Sequence, residues 1–458
     1  MSNLLLSDPA YTRDLGDNLV LRWSSAADCE RIGVLYSHVF RGAATDAPNT
    51  HIASWARELM SGDHPLITAG DFAIVEDTAS GAVVAATCLM RQTWEYGGIA
   101  LPVGRPEIVA SLPEYRNRGL IRAIFTLIHA RSDARGDMAQ GITGIEYYYR
   151  QFGYEYALDL DGGKAMPFAN IPPLKDGETE LYSLRDATEV DLPQLQALYD
   201  RERNRKHDHT PLLVSTRIDA SYWQFRLRNT WRETGEGWLN KLLIDQVGRV
   251  VGYSLIGPIR SGDTIYVLAA MVDEGVSLLA VMPALLRALQ AEAARIMTRK
   301  ADTPAAAKLY FGFGRAHPLY DALGTLVTSH DPVYAWYVRV ADLSGFIRRV
   351  APVLEARLAA SIAAGHTGEL RLTFYRGGLR LAFEGGRLVA AEPWQRDHNW
   401  GPKADAGFPP LVFLQLLFGH RSLDELRGAF PDVSVQDDAK KLLDILFPRT
   451  QSWVLHLD

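Results

Sequence analysis

The stretch Val109-Ala-Ser-Leu-Pro-Glu-Tyr-Arg-Asn-Arg-Gly-Leu-Ile-Arg122 decides how the rest of the chain is read. It predicts a β-strand over 106–112 that runs into a tight basic turn, with a helix opening at about Gly119. Apolar residues at Leu120, Ile121, Ile124, Leu127 and Ile128 give that helix one buried face. Its N-terminus follows a turn carrying Arg116, Arg118 and Arg122, so free backbone N–H groups and positive charge lie together. Such an end suits a phosphate or pyrophosphate, and Gly119 lets the backbone approach a ligand with no side chain in the way. The same residues also fit a plain solvated basic turn, because Arg-x-x-Gly is short enough to recur by chance.

At 458 residues, 47% hydrophobic and 22% charged, the chain has the make-up of an ordinary soluble protein of about three domains. Its net charge of −6 argues against non-specific nucleic-acid binding. Cys29 and Cys88 sit among apolar residues, form no metal motif and read as structural thiols of a reducing compartment. The start, MSNLLLSDPAYTRD, lacks the basic region of a secretory signal. The longest apolar stretch, 277–289, is broken by Pro283 and Arg287 and is too short to span a bilayer. The expectation is a cytoplasmic protein with no membrane span, no nucleic-acid partner and no metal.

Along the first third, Leu19-Val-Leu-Arg-Trp23 reads as a strand, and Ser25 with Asp28 as a capping box opening a helix to about Phe40. A second helix is expected over 52–60, strands over 72–76 and 82–90 joined by a Ser80-Gly81 turn, and a further strand over 140–145. Tyr147-Tyr-Tyr-Arg-Gln-Phe-Gly-Tyr154 then reads as a short helix ending at Gly153. The stretches 40–50 and 94–101 are expected to be loops around a pocket.

This order, with a strand ending in x-x-Pro-x-x-Arg-x-x-Gly and a later Tyr-x-x-Phe-Gly-Tyr about 30 residues on, resembles the GNAT superfamily of acyl-CoA N-acyltransferases. In that family an Arg/Gln-x-x-Gly-x-Gly/Ala turn holds the coenzyme A pyrophosphate. Arg116 and Gly119 match it, and Ile121 stands where Gly or Ala is usual. A bulky residue there, together with Tyr149-Arg-Gln-Phe-Gly-Tyr154, resembles one branch, the enhanced-intracellular-survival acetyltransferases.

Leu21-Arg-Trp-Ser-Ser-Ala-Ala-Asp28 returns as Leu184-Arg-Asp-Ala-Thr-Glu-Val-Asp191, and Leu35-Tyr36 as Leu198-Tyr199 in the same register. Tyr149-x-x-Phe152-Gly153 is echoed by Tyr320-x-x-Leu323-Gly324, so the middle third reads as a second copy of the first. In that copy a strand over 265–272 runs into Asp273-Glu-Gly-Val-Ser277, whose two carboxylates would repel a pyrophosphate. His317 reads as a loop or packing residue, and the aromatic strand over 334–340 as the close of the middle domain.

Asp342 caps a helix to about Ala360, and paired glycines at 377–378 and 385–386 punctuate hairpins over 369–391. An amphipathic helix is expected over 410–418, with another capped by Ser422 and Glu425. This last third resembles the sterol-carrier-protein-like domain of the same branch. The expectation is a mixed α/β (α+β) chain: a GNAT domain over 1–175, a degenerate GNAT-like domain over 176–340 and a sterol-carrier-like domain over 341–458.

The resemblance implies an acetyl-CoA-dependent N-acetyltransferase acting on a primary amine, an aminoglycoside-like polyamine or a lysine, by direct attack in a ternary complex. It also implies a homo-oligomer, a hexamer. The coenzyme-binding residues are then Val109, Ala110 and Ser111 on the strand, and Arg116, Asn117, Arg118, Gly119, Leu120, Ile121 and Arg122 in the turn. Tyr149 takes the part of general acid toward the leaving thiolate. The main-chain carboxylate of Asp458, brought in by Trp453-Val-Leu-His-Leu457 docking as a strand, takes the part of base; Glu146 and Glu107 are alternatives. A different class of protein, a non-enzymatic lipid or acyl carrier working through its last domain, would not need the arginine-rich turn, and a transferase for longer acyl chains is a third reading.

Overall fold

The computed structural model describes residues 3–207, 210–228, 232–395 and 403–458. The first two residues of the amino-terminal stretch read above lie outside these. Among the described residues no helix is long and apolar enough to cross a membrane.

Three large sheets, beside two of two strands each, organise the described residues. The first runs Thr12–Gly16, Leu19–Trp23, Phe72–Asp77, Ala82–Tyr96, Ile99–Ser111, Ala139–Ile142, Tyr334–Arg339 and Glu155–Leu160, with Val214–Arg217 pairing the far end of Ala82–Tyr96. The second runs Tyr182–Asp186, Leu239–Asp245, Val250–Ile256, Thr264–Val272, Lys308–Phe311, Gly163–Pro167 and Ser329–Asp331. Read from Leu19–Trp23 and from Tyr182–Asp186, the two have one plan: four antiparallel strands, then a parallel step to the fifth.

Each sheet borrows its sixth strand. Tyr334–Arg339 comes from the end of the second copy and lies in the first sheet, between Ala139–Ile142 and Glu155–Leu160. Gly163–Pro167 comes from the end of the first copy and lies in the second sheet, between Lys308–Phe311 and Ser329–Asp331. This corrects the expectation that the 334–340 strand closes the middle domain. Four consecutive buried residues, 335–338, suit the interior of either sheet, and only pairing decides between them.

The duplication extends to side chains. Arg22 clamps Asp28 at 2.8 and 2.9 Å, and Asp28 completes a capping box with Ser25 at the head of the helix Cys29–Val39. Arg185 clamps Asp191 at 2.7 Å through both nitrogens, and Asp191 completes a box with Thr188 ahead of Leu192–Arg203. The stretch 94–101, expected as a loop, is instead the tip of the long hairpin Ala82–Tyr96/Ile99–Ser111, turning at Gly97 and Gly98 with φ of 54° and 87°.

The third sheet orders Arg387–Pro393, Gly378–Glu384, Gly368–Thr373, Ala406–Gly407 and Ser434–Val435. The helix Leu343–Ala359, capped by Asp342 as expected, packs against it. The helix Asp437–Leu446 has no counterpart in the sequence reading. The core of this part is continuous with the hairpin of the first sheet: Tyr96 meets Phe346 and Phe418 edge-on and donates its hydroxyl to Leu417 O at 2.7 Å. Asp159 joins all three parts, accepting from Arg315 of the second and from His420 of the third.

Burial raises the Asp28 carboxyl, but the bonds from Arg22 and from the Ser25 backbone outweigh it and hold its pKa at about 2. A depressed carboxyl stabilises the fold fully above its unfolded value of about 3.9, and that contribution is lost as pH falls through the folded value. Asp28→Asn is therefore expected to cost about 1–2 kcal/mol at pH 7 and almost nothing near pH 2, discounted for the solvent that reaches the pair. Urea unfolding at the two pH values checks it.

Candidate active site

The arginine turn opens the helix Leu120–Ala134 as expected. Its N-cap is Gly119, at φ 75°, which supplies no side-chain acceptor to the first backbone N–H groups. They remain available to an anion. The matching helix of the second copy, Leu278–Ala291, is capped by Ser277, whose hydroxyl takes the N–H of Ala280 at 3.3 Å.

Beside the turn the sheet splits. Ile99–Ser111 and Ala139–Ile142 pair only over Val103–Ala139 and Gly104–Gln140, so residues 105–111 run on without a partner on that side. On the other side a bulge sets Ile108 and Val109 against the single residue Thr87, with Ile108 at φ 52°. A β-branched residue there is strained, and the bulge re-aims the strand. The opening is a cleft of about 670 Å³ lined by Val109, Ala110 and Ser111 on the strand, by Arg116, Asn117, Gly119, Leu120, Ile121 and Arg122 in the turn, and by Tyr148 and Phe152. Arg122 lies over the Phe152 ring and donates to Gln151 Oε1 at 2.8 Å. Arg118 alone of the expected set points elsewhere. It pairs with Asp17 at 2.7 Å and lines a neighbouring hollow of about 510 Å³ with Arg13.

Tyr149 is buried in an aromatic cluster with Phe125, Tyr154 and Tyr337. Its hydroxyl has no hydrogen-bond partner among the described residues. Burial raises its pKa, and Glu107 and then Tyr148 add to this, so the phenol is protonated at neutral pH. The counterpart Tyr320 is fully engaged, donating to Phe311 O at 2.9 Å and accepting from Phe313 N at 3.2 Å.

Asp458 is carried into the same region. The 451–458 segment runs beside Val214–Arg217, Trp453 N donating to Val214 O and Thr216 Oγ1 to Leu455 O, as a single parallel bridge rather than a full strand. Arg105, 1% exposed, ties it down, and sequence reasoning missed it. Its guanidinium donates to Leu457 O at 2.9 Å, to His456 Nδ1 at 3.0 Å and to Asp458 Oδ1 at 3.2 Å, and pairs with Glu107 Oε2 at 2.7 Å. The main-chain oxygen of Asp458 accepts from Tyr222 Oη at 2.9 Å and from His64 Nε2 at 3.3 Å. Leu66 N–H donates to His64 Nδ1, which assigns the proton to Nε2 and makes this histidine a neutral donor. Arg226 donates to Tyr222 Oη and to Glu58 Oε1, both at 3.0 Å. Glu146, in contrast, is exposed.

Several acids converge here. Burial lifts Glu58 to about 7 and Glu236 to about 8, the latter helped by Asp458. Burial also raises Glu107, against the pull of Arg105. Burial pushes the Asp458 side chain up as well, but Arg105 and then His456 outweigh it and leave it below its ordinary value. Of these acids, Glu107 and Asp458 are the candidates the sequence offered; Glu58 and Glu236 did not stand out, because each lies far along the chain from both.

Burial lowers His64 and His129 to about 3 and His456 to about 4, with Arg226, Arg339 and Arg105 respectively adding to it. Histidines held neutral stabilise the fold above their unfolded pKa of about 6.5 and lose that contribution as pH falls toward the folded values. Around pH 5 the three histidines take up about three protons on unfolding while Glu58 and Glu236, with their raised pKa values, release about two, so stability is expected to drop by a net of about 1–2 kcal/mol per pH unit. Chemical denaturation between pH 7 and 5 measures it, and His64→Gln, which removes one of the three uptakes, should abolish most of that slope. Arg105→Met, which leaves Glu107 and Asp458 without their buried cation, is expected to cost about 3–5 kcal/mol in the same assay.

Residues 21–157 match the family model described as an acetyltransferase (GNAT) domain. No curated protein sequence matches the chain. Among solved structures, a GCN5-related N-acetyltransferase from Kribbella flavida is 18% identical with a TM-score of 0.65, covering 96% of this chain and 98% of its own. A probable N-acyltransferase from Enterococcus faecalis V583 is 13% identical with a TM-score of 0.67, covering 96% and 99%. Eis1 from Mycobacterium abscessus is 17% identical with a TM-score of 0.57, covering 95% and 99%. At these identities the likeness is one of fold. The family match assigns residues 21–157 to the acetyltransferase (GNAT) domain, and the fold likeness extends along nearly the whole chain.

Proposed function

We propose that this protein transfers an acetyl group from acetyl-CoA to a primary amine by direct attack. The observation that carries the reading is the Arg105–Glu107 pair. Glu107 acts electrostatically on Tyr149, and Arg105 holds Asp458, so a phenol and a carboxylate of the right chemistry flank one buried ion pair beside the split sheet.

In this reading the pyrophosphate rests on the free N–H groups after Gly119 with Arg116 and Arg122 beside it, and the pantetheine arm follows Val109, Ala110 and Ser111 into the opening. The buried acids Glu58 and Glu236 would be drawn into their charged form by a cationic acceptor, which supports amines, including polyamines. A carboxylate of Asp458, main-chain or side-chain, takes a proton as the amine nitrogen bonds to the acetyl carbon. The carbon–sulfur bond then breaks, and the thiolate takes the phenolic proton of Tyr149. Tyr149, protonated at neutral pH, is suited to donate and not to accept. The third part of the chain, whose core merges with the first sheet, is proposed as architecture that delivers the 451–458 segment.

Release of free thiol from acetyl-CoA with a polyamine acceptor tests the reading. Tyr149→Phe is expected to lower kcat about 100-fold or more with KM for acetyl-CoA little changed. Arg116→Ala is expected to raise that KM about tenfold and leave kcat nearly intact. Asp458→Asn removes only the side-chain carboxylate, whereas deletion of Asp458 also withdraws the main-chain one to Leu457, one residue short of the site, so the pair of variants assigns the base. Full activity in Tyr149→Phe together with the Asp458 deletion would sink the proposal.

A further inference from the structure

We propose that Tyr337 and Tyr156 are positioning residues for Tyr149, so that the strand lent to the first sheet by the second copy holds the turn that carries the acid. The proposal rests on the reading of Tyr149 as the proton donor.

The turn leading to Tyr149 is strained. Gly144 has φ 87°, but the non-glycine residues Ile145 and Tyr147 also have positive φ, 27° and 58°. Backbone of this kind persists only where its surroundings over-determine it. Two phenols do so. Tyr337 Oη lies 3.1 Å from Ile145 O, and Tyr156 Oη accepts from Tyr147 N at 3.1 Å. The two hydroxyls are 2.7 Å apart, and Tyr334 Oη is 2.7 Å from Tyr156 Oη.

The protons can be placed. A carbonyl only accepts and an amide N–H only donates, and each phenol has one proton. If Tyr337 donates to Ile145 O, Tyr156 donates to Tyr337 and Tyr334 donates to Tyr156, every contact is satisfied in one direction. The chain runs from Tyr334, 43% exposed, inward to the strained turn. The rings complete the hold: Tyr156 and Tyr337 stack at 4.1 Å, and Tyr337 meets Tyr149 edge-on at 5.4 Å. Tyr337 thus touches both the turn carbonyl and the ring of the acid. Both Tyr334 and Tyr337 lie on Tyr334–Arg339, the exchanged strand. The exchange therefore has a functional consequence: the copy that lacks the arginine turn supplies the support for the copy that has it.

The test uses the full chain with Tyr337→Phe and Tyr156→Phe, which keep the rings and remove only the hydroxyls. Each is expected to lower kcat about five- to tenfold at nearly constant KM for acetyl-CoA. In a Tyr149→Phe background, adding Tyr337→Phe should change kcat by less than about twofold, because there is no acid left to position. An acyl donor with a more acidic leaving thiol should recover most of the Tyr337→Phe loss, which a merely structural defect would not allow. If the Tyr149→Phe and Tyr337→Phe losses multiply, or if Tyr337→Phe raises KM with kcat kept, the positioning role is overturned while the acid stands. If Tyr149→Phe alone retains the full rate, the acid assignment falls and this role with it.

Discussion

A guanidinium buried to 1% exposure constrains this molecule more than any other group. Arg105 sits on the central strand of the first sheet, where an unpaired cation would be prohibitive. Glu107, two residues on and on the same face of the strand, supplies one counter-charge, and Asp458 supplies the other from the far end of the sequence. The carbonyl of Leu457 and the imidazole of His456 take further N–H groups. The docking of the 451–458 segment is thus an electrostatic requirement of the first sheet. That segment runs along Val214–Arg217, which is itself paired to the first sheet, before it reaches Arg105.

The two copies show how one fold can keep or lose a site by small changes at the same positions. Where the first has Gly119 and free N–H groups, the second has Ser277, whose hydroxyl occupies one of them. Where the first has Tyr149 with an unengaged hydroxyl, the second has Tyr320 bonded to its own sheet. The clamps Arg22–Asp28 and Arg185–Asp191, which serve only the fold, are retained in both. What the second copy gained is interaction with its neighbour: Tyr222 and Arg226 reach Asp458 and Glu58, and the strand Tyr334–Arg339 enters the other sheet.

Local chemistry was legible in the sequence and long-range pairing was not. The capping boxes at Ser25 and Ser422, the Ser80-Gly81 turn and the helix after Gly119 all depend on residues within four positions of one another, and each is where its sequence placed it. Nine of the ten residues assigned to the arginine site line one cleft, because turn and strand are contiguous; Arg118 departs because Asp17, a hundred residues away, draws it off. The strand exchange left no local mark, since Tyr-Ala-Trp-Tyr-Val-Arg, with its continuous apolar middle, suits a buried place in either sheet. Arg105 was invisible for a related reason: one arginine in an apolar strand looks like an edge residue until the partner that neutralises it is known. His317, read as a loop or packing residue, is buried, caps Pro318–Leu323 and bonds Glu202 at 3.0 Å, a partner 115 residues away that the sequence did not show.

The acids around Asp458 bear on a difficulty that any amine acetylation meets. The acceptor arrives as an ammonium ion and must attack as a neutral amine, so a site needs negative charge to bind it and a base to discharge it. Glu58 and Glu236, held by burial at about 7 and about 8, are near the balance point between neutral and charged at physiological pH. An incoming ammonium would pull both toward the charged form, deepening the field only when the acceptor is present. The donors on the main-chain oxygen of Asp458 are a phenol and a neutral imidazole and not a cation. The Arg105 guanidinium is directed instead to the side-chain oxygen. Neutral donors lower the basicity of an oxygen less than a guanidinium would, so in the proposed reaction the main-chain oxygen is the better placed of the two to take a proton.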